Sequence, residues 1–156
     1  MTNPARLLLR VPVPWVFVLC YLLGVALEHF HHTPVSALGD RLALAAGYIL
    51  FIAGAVIAGW GLFLFRSAGT TTVPGRPSAQ FVTSGPYRFT RNPMYVGLTL
   101  AYLGEAGLLR QAWPIATLPL VLAYVNWIVI PLEEAKLTEV FGSQYRFYKT
   151  QVRRWL

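Results

Sequence analysis

The sequence predicts an all-α polytopic membrane protein: about four transmembrane helices and a C-terminal amphipathic helix in a single domain over residues 1–156. Three observations carry that prediction. The first is composition: 56% of the residues are hydrophobic and 12% are charged. Soluble domains carry roughly 25% charged residues, so this chain has too little polar surface for water and too much apolar surface for disorder. The second is a set of long charge-free runs: 17 residues between Arg10 and Glu28, 24 between Arg41 and Arg66, 13 between Arg91 and Glu105, and 22 between Arg110 and Glu133. The third is the uneven placement of the 13 Lys and Arg residues, which leave a formal net charge of +7.

A bilayer core of about 30 Å needs roughly 20 apolar helical residues. The second and fourth runs meet that length. The first meets it with Glu28–Phe30 at the interface, and the third with Glu105 near the far interface. The expected spans are therefore 13–30, 42–65, 93–109 and 112–132. Arg6 and Arg10 before the first span also suit a signal peptide. However, the apolar run exceeds the usual ~7–15 residues and no small-x-small site follows Val25, so a retained anchor is expected.

With four spans, Arg6, Arg10, Arg66, Arg76, Arg88, Arg91, Lys136, Arg146, Lys149, Arg153 and Arg154 share one side, and Arg41 and Arg110 take the other. Cations gather on the cytoplasmic side of membranes. Both termini, the loop 66–92 and the tail 133–156 are therefore expected in the cytosol, next to anionic membrane lipids. Topology accounts for the basic balance without a nucleic-acid partner.

The loop 66–92 is long for so small a protein, and such loops are commonly functional. Its Pro and Gly residues argue against a continuous helix, while Phe81, Val82, Tyr87 and Phe89 suggest an ordered loop packed on something. In the tail, Leu137, Phe141, Tyr145, Tyr148, Val152 and Trp155 recur at helical spacing. The stripe suits an interfacial amphipathic helix or the lid of a cavity, with a bend expected at Gly142.

Three features on this side can do chemistry. In Gly85-Pro86-Tyr87-Arg88-Phe89-Thr90-Arg91-Asn92-Pro93-Met94-Tyr95-Val96-Gly97, Asn92 reads as an N-cap and Pro93 as the first helical residue. The helix then opens at the membrane surface with N–H groups able to attract an anion, reinforced by Arg88 and Arg91. Gly97 allows close approach of a backbone or ligand. The second feature, Glu133-Glu134, places two acids beside the membrane, where they require solvent, a cation, or a partner such as Arg88 or Arg91. The third is the aromatic and basic segment Phe141–Tyr148 followed by Val152–Trp155.

In this order, these residues resemble the isoprenylcysteine carboxyl methyltransferase and phospholipid methyltransferase superfamily. The family pattern runs Gly-Pro-Tyr-Arg-x-x-Arg-His/Asn-Pro-x-Tyr-x-Gly, then Glu-Glu, then Phe-Gly-x-x-Tyr-x-x-Tyr. Every fixed element is present between Arg66 and the C-terminus, with Asn92 where many members carry His. The resemblance implies an integral membrane enzyme, and the short chain with minimal loops suggests the bacterial cytoplasmic membrane. It implies S-adenosylmethionine as methyl donor, S-adenosylhomocysteine as product and a lipid, prenylated or other lipophilic acceptor entering from the bilayer. The implied cofactor site comprises Tyr87, Arg88, Arg91, Asn92, Pro93, Tyr95, Gly97, Glu133, Glu134, Tyr145 and Tyr148, with Arg91 and Glu134 as the catalytic pair. The Asn92–Pro93 helix start with Arg91 suits the donor's carboxylate, and Glu133 or Glu134 its ammonium or ribose. Tyr87, Tyr95, Tyr145 and Tyr148 suit the adenine or the sulfonium, a cation–π contact worth about 0.5–2 kcal/mol.

Methyl transfer is a direct displacement, so alignment supplies much of the rate. A carboxylate acceptor is already ionised at neutral pH, leaving Arg88 or Arg91 to position it. An amine acceptor requires a base, for which Glu134 is the expected residue. Isoprenylcysteine carboxyl methylation is the leading reading, with ethanolamine-phospholipid N-methylation and a non-catalytic four-helix membrane protein as alternatives.

No metal is expected. No carboxylate or cysteine pattern accompanies His29, His31 and His32, which read as an interfacial loop. Cys20 is the single cysteine, so no disulfide framework is possible. Glu105 is expected near the outer end with access to solvent, and Gly59-Trp60-Gly61 is expected to mark close helix packing.

Overall fold

A computed structural model describes residues 12–31, 40–68 and 81–156. Arg6, Arg10, His32 and the loop residues 69–80, including Arg76, lie outside the described residues. Helix α1 spans Val13–Phe30 and α2 spans Asp40–Ser67. A short 3-10 turn, Gly85–Arg88, precedes α3, Pro93–Leu108. Helix α4, Ala112–Tyr124, passes through a π-turn at Val125–Val129 into α5, Ile130–Gln151. The described residues contain no strand, as expected for an all-α protein.

Three helical stretches are long and apolar enough to cross a membrane: Val13–Phe30, Arg41–Ser67 and Ala112–Gln151. Within the last, 112–132 is the apolar crossing, and the charged face begins at Glu133. The expected third span is shorter. Helix α3 has 16 residues, about 24 Å at 1.5 Å per residue.

Helix α3 is held along α2 by glycines. A Cβ on Gly97 would come within 2.5 Å of Ala58 N and 2.6 Å of Gly54 O, and Gly104 faces Phe51 and Gly47 in the same way. Gly47, Gly54 and Gly61 on α2, and Gly97 and Gly104 on α3, each recur at intervals of seven. That spacing keeps them on one helix face, and small residues let membrane helices approach backbone to backbone. Close packing was expected at Gly59-Trp60-Gly61, and there Gly59 does not contribute: a Cβ at that position would meet nothing within 4 Å. Trp60 instead lies against Gly85, which has φ +59°.

Helices α1 and α4 form the second antiparallel pair, with Gly24 pressed on Pro114. The two pairs meet through Tyr102, which stacks edge-on against Tyr21 with centroids 4.9 Å apart and shares a 2.9 Å hydrogen bond with the Thr117 hydroxyl. The core continues through Phe17, Leu118, Val121, Val125 and Ile130 to Tyr95.

The tail is helical, as its stripe predicts. Its first part continues the last span through the π-turn, and a second helical stretch follows the break at Gly142 (φ 52°, ψ −117°), where the bend was expected. Tyr145 and Tyr148 are buried by this turn.

Candidate functional site

The site forms where the 3-10 turn, the start of α3, the start of α5 and the end of the tail meet. Pro93 begins α3 as predicted, but Asn92 does not cap it with its side chain. Its Nδ2 donates instead to Arg154 O at 2.8 Å. The backbone N–H of Asn92 donates to Thr90 Oγ1, and Tyr95 and Val96 N–H both donate to Asn92 O. Pro93 has no N–H to offer. Two N–H groups of the first turn are therefore satisfied by Asn92 O.

Arg91 anchors the tail. Its N–H donates to Arg153 O at 2.9 Å, and Nη1 donates to Val152 O at 2.7 Å and Lys149 O at 3.3 Å. Nη2 donates to Glu134 Oε1 at 2.8 Å. Arg154 completes the network with bonds from Nε and Nη2 to the two oxygens of Glu134. Burial pushes the Glu134 carboxyl up, but hydrogen bonds from Arg154 and Arg91, and their charges, outweigh that and hold it below the ordinary carboxylate range.

Glu133 points to different partners. Its Oε1 accepts a 2.8 Å hydrogen bond from Tyr95 Oη. Burial pushes its carboxyl up to about 7, against the lowering effects of that bond and of the Lys136 charge. The Tyr87 hydroxyl is raised first by burial and then by Tyr148 and Glu133. Tyr148 Oη donates to Tyr87 O at 2.6 Å, and burial pushes the Tyr148 phenol up to about 12. Phe81 lies stacked on Phe141 at 5.2 Å and edge-on to Tyr145 and Tyr148 at 5.7 and 5.1 Å. The loop is thus packed by Phe81 and Tyr87, whereas Phe89, grouped with them from sequence, is 74% exposed.

The structure therefore brings together Tyr87, Arg91, Asn92, Tyr95, Glu133, Glu134, Tyr145 and Tyr148. Arg88 is exposed on the 3-10 turn. Pro93 is fully buried, and Gly97 faces the α2 backbone rather than the tail. Thr90 and Arg154 belong to the same network, with Trp155 next to Arg154 in the chain, and none of the three was named as a site residue from sequence. Thr90 Oγ1 donates to Arg154 O, and Trp155 Nε1 donates to Asn126 Oδ1 at 3.0 Å. Thr90 stands within the Gly85–Gly97 motif, and Arg154 and Trp155 within the basic and aromatic end of the tail.

Beside the network, an apolar cleft of about 620 Å³ opens between α3 and α4, lined by Val96, Thr99, Leu122, Asn126 and Trp155 among others. Two buried side-chain atoms lack any hydrogen-bond partner among the described residues: Arg91 Nε and Tyr87 Oη. No group of three or more His, Cys, Asp and Glu suited to a metal occurs among the described residues.

Among the described residues, the chain is a helical membrane protein with an Arg–Glu–Arg network and, near it, an apolar cleft between α3 and α4. The particular family follows from comparison: the phospholipid methyltransferase model matches residues 42–144, and the chain belongs to that family. It is also 29% identical over 107 residues to a methanethiol S-methyltransferase of Pseudomonas deceptionensis, a match covering 67% of this chain and 39% of that relative. The chain thus spans about two fifths of the length of the curated relative it matches. No solved structure matches this chain.

Proposed function

We propose that the protein transfers a methyl group from S-adenosylmethionine to a lipophilic acceptor at the membrane face bearing the loop 66–92 and the tail. The cation distribution favours this being the cytosolic face. The observation that carries the reading is the pair of unsatisfied buried donors, Arg91 Nε and Tyr87 Oη, both within the Gly85–Gly97 motif. Native proteins seldom leave such atoms unpaired, and a ligand carrying a carboxylate and hydroxyls satisfies both. The donor fits these residues on that ground, and when bound it supplies an electrophilic methyl carbon on a sulfonium.

Arg91 has both Nη atoms committed to Glu134 and the tail, so Nε is the atom it offers to the ligand's carboxylate. Glu134, Arg154 and Asn92 act as positioning residues that fix Arg91 and close the tail over the site. Tyr145 and Tyr148 shape the site rather than stack on the donor, because Phe81 already packs against their rings. The cleft between α3 and α4 suits an apolar acceptor arriving from the bilayer.

Two acceptor classes have a specific observation behind them. The family's description favours a phospholipid, and the name of the relative favours a thiol. Isothermal titration of the full chain in detergent with S-adenosylhomocysteine should give a one-site isotherm. Arg91→Ala should weaken it about tenfold or more, the range for a lost hydrogen bond to a charged group. Labelled-methyl transfer to a lipid extract, a farnesylated cysteine analogue and simple thiols then identifies the acceptor. No heat at millimolar ligand would leave a non-catalytic membrane protein as the better reading.

A further inference from the structure

Glu133 and Glu134 are neighbours in sequence and share no partner. Both oxygens of Glu134 are taken by guanidinium groups. Glu133 accepts one hydrogen bond among the described residues, from Tyr95 to Oε1, which leaves Oε2 available. The groups that face it are Tyr95 from α3, Tyr87 from the 3-10 turn, and Tyr145 and Lys136 from its own helix. Three of these four are phenols, and among the described residues no guanidinium pairs with it. Beside it, the hydroxyl of Tyr87 is buried with no partner among the described residues.

We propose that Glu133, rather than Glu134, is the proton acceptor in methyl transfer, and that the methyl acceptor is a protic nucleophile, a thiol or neutral amine, rather than a carboxylate. This rests on the methyltransferase reading above and names the acceptor chemistry of the same site. A carboxylate acceptor needs no base. It would also bring a second anion beside Glu133 in a poorly solvated place where Arg91 and Arg154 are already committed to Glu134. A thiol or amine has a proton to lose, and Glu133 has an open oxygen to receive it. A base is most effective with a pKa near the working pH, which suits Glu133 and excludes the strongly ion-paired Glu134.

The step balances. The acceptor's sulfur or nitrogen lone pair forms the bond to the methyl carbon. The bond from that carbon to the donor's sulfonium breaks, and its electron pair leaves a neutral thioether. The acceptor's S–H or N–H proton passes to Glu133 Oε2, so one positive and one negative charge disappear together. Tyr95 is a positioning residue that holds Oε1.

The test uses the full chain in detergent and two readouts. Infrared difference spectra without ligand should show a protonated carboxyl band that titrates near neutral pH. That band should vanish in Glu133→Gln and persist in Glu134→Gln. With thiol and amine acceptors tested separately, Glu133→Gln should lower kcat about 10²–10⁴-fold while S-adenosylhomocysteine binds as in the wild type. Tyr95→Phe should shift the acid limb of the pH profile. A Glu133→Gln variant with wild-type turnover, an unchanged carboxyl band, or exclusive methylation of a carboxylate substrate overturns the proposal. Failure of the wild type to bind S-adenosylhomocysteine or transfer methyl to anything overturns the functional reading itself.

Discussion

Each end of the bundle draws carboxylates into the fold, fully buried at one end and half-buried at the other, and uses them differently. At the end away from the motif, Glu28 is 6% exposed, and its Oε2 accepts Ala112 N–H at 2.9 Å and Trp113 N–H at 3.0 Å. Gln111, at the N-cap position of α4, makes no side-chain cap, so an acid from α1 supplies it. Tyr21 Oη donates to Gln111 Oε1, and Trp113 Nε1 to His31 O, closing the same corner. At the motif end, Glu134 is held by two arginines and Glu133 by one phenol. An acid bonded to backbone amides pins two helices together and stabilises a helix start. An acid left with one neutral donor keeps the capacity to exchange a proton. Burial alone therefore does not mark a functional carboxylate; the number and charge of its partners do.

The comparison breaks most sharply at Glu134. Glu134→Ala leaves Arg91 and Arg154 facing each other without a counter-charge, a loss of about 3–5 kcal/mol for a broken partly buried ion network. Thermal unfolding should register it, together with loss of S-adenosylhomocysteine binding. Glu133→Gln should do the reverse for stability. The folded-state pKa of Glu133 is raised to about 7, so its contribution is fully present below the unfolded value. It is lost as pH rises through about 7. Replacing it with Gln should therefore raise stability at pH 8 by at most about 3 kcal/mol and leave it little changed at pH 4. Glu134 carries the opposite sign, because its lowered pKa gives stability above the unfolded value that is lost in acid. Melting curves of the two Gln variants across pH should consequently diverge.

At the other end, Glu28→Ala should cost about 0.5–2 kcal/mol, the range for a lost helix cap, with S-adenosylhomocysteine affinity unchanged. A fall in affinity there would show that the two ends are coupled. An effect of similar size is expected at Gly142. A Cβ meets open space, but φ is +52°, so Gly142→Ala should cost about 1–2 kcal/mol of backbone strain. It should loosen the tail's hold on Arg91, read as a modest loss of ligand affinity.

Much of the fold was legible because membrane insertion reads simple properties. Charge-free length located the spans, Pro93 marked the start of α3, and Gly142 marked the break in the tail. The glycine seam was also present as a seven-residue spacing at Gly47, Gly54 and Gly61 and at Gly97 and Gly104. Spacing alone does not say which helix faces which, so Gly59 and Gly97 were open to other readings. Asn92 beside Pro93 carries a strong capping signal, yet a carbonyl 62 residues away draws its side chain off the helix. Glu28 reads as an interfacial acid because nothing local announces that α4 begins beside it.

The sequence by itself determined the helical membrane architecture, the order of the spans and the segments that carry the motif, since these follow from hydrophobic length, charge placement and local backbone chemistry. Only the tertiary structure decided which of two adjacent, intrinsically identical acids is ion-paired and which stays open to a proton. That difference comes from Arg91 and Tyr95, 43 and 38 residues distant along the chain, and from the tail that folds back to lock Arg91 in place.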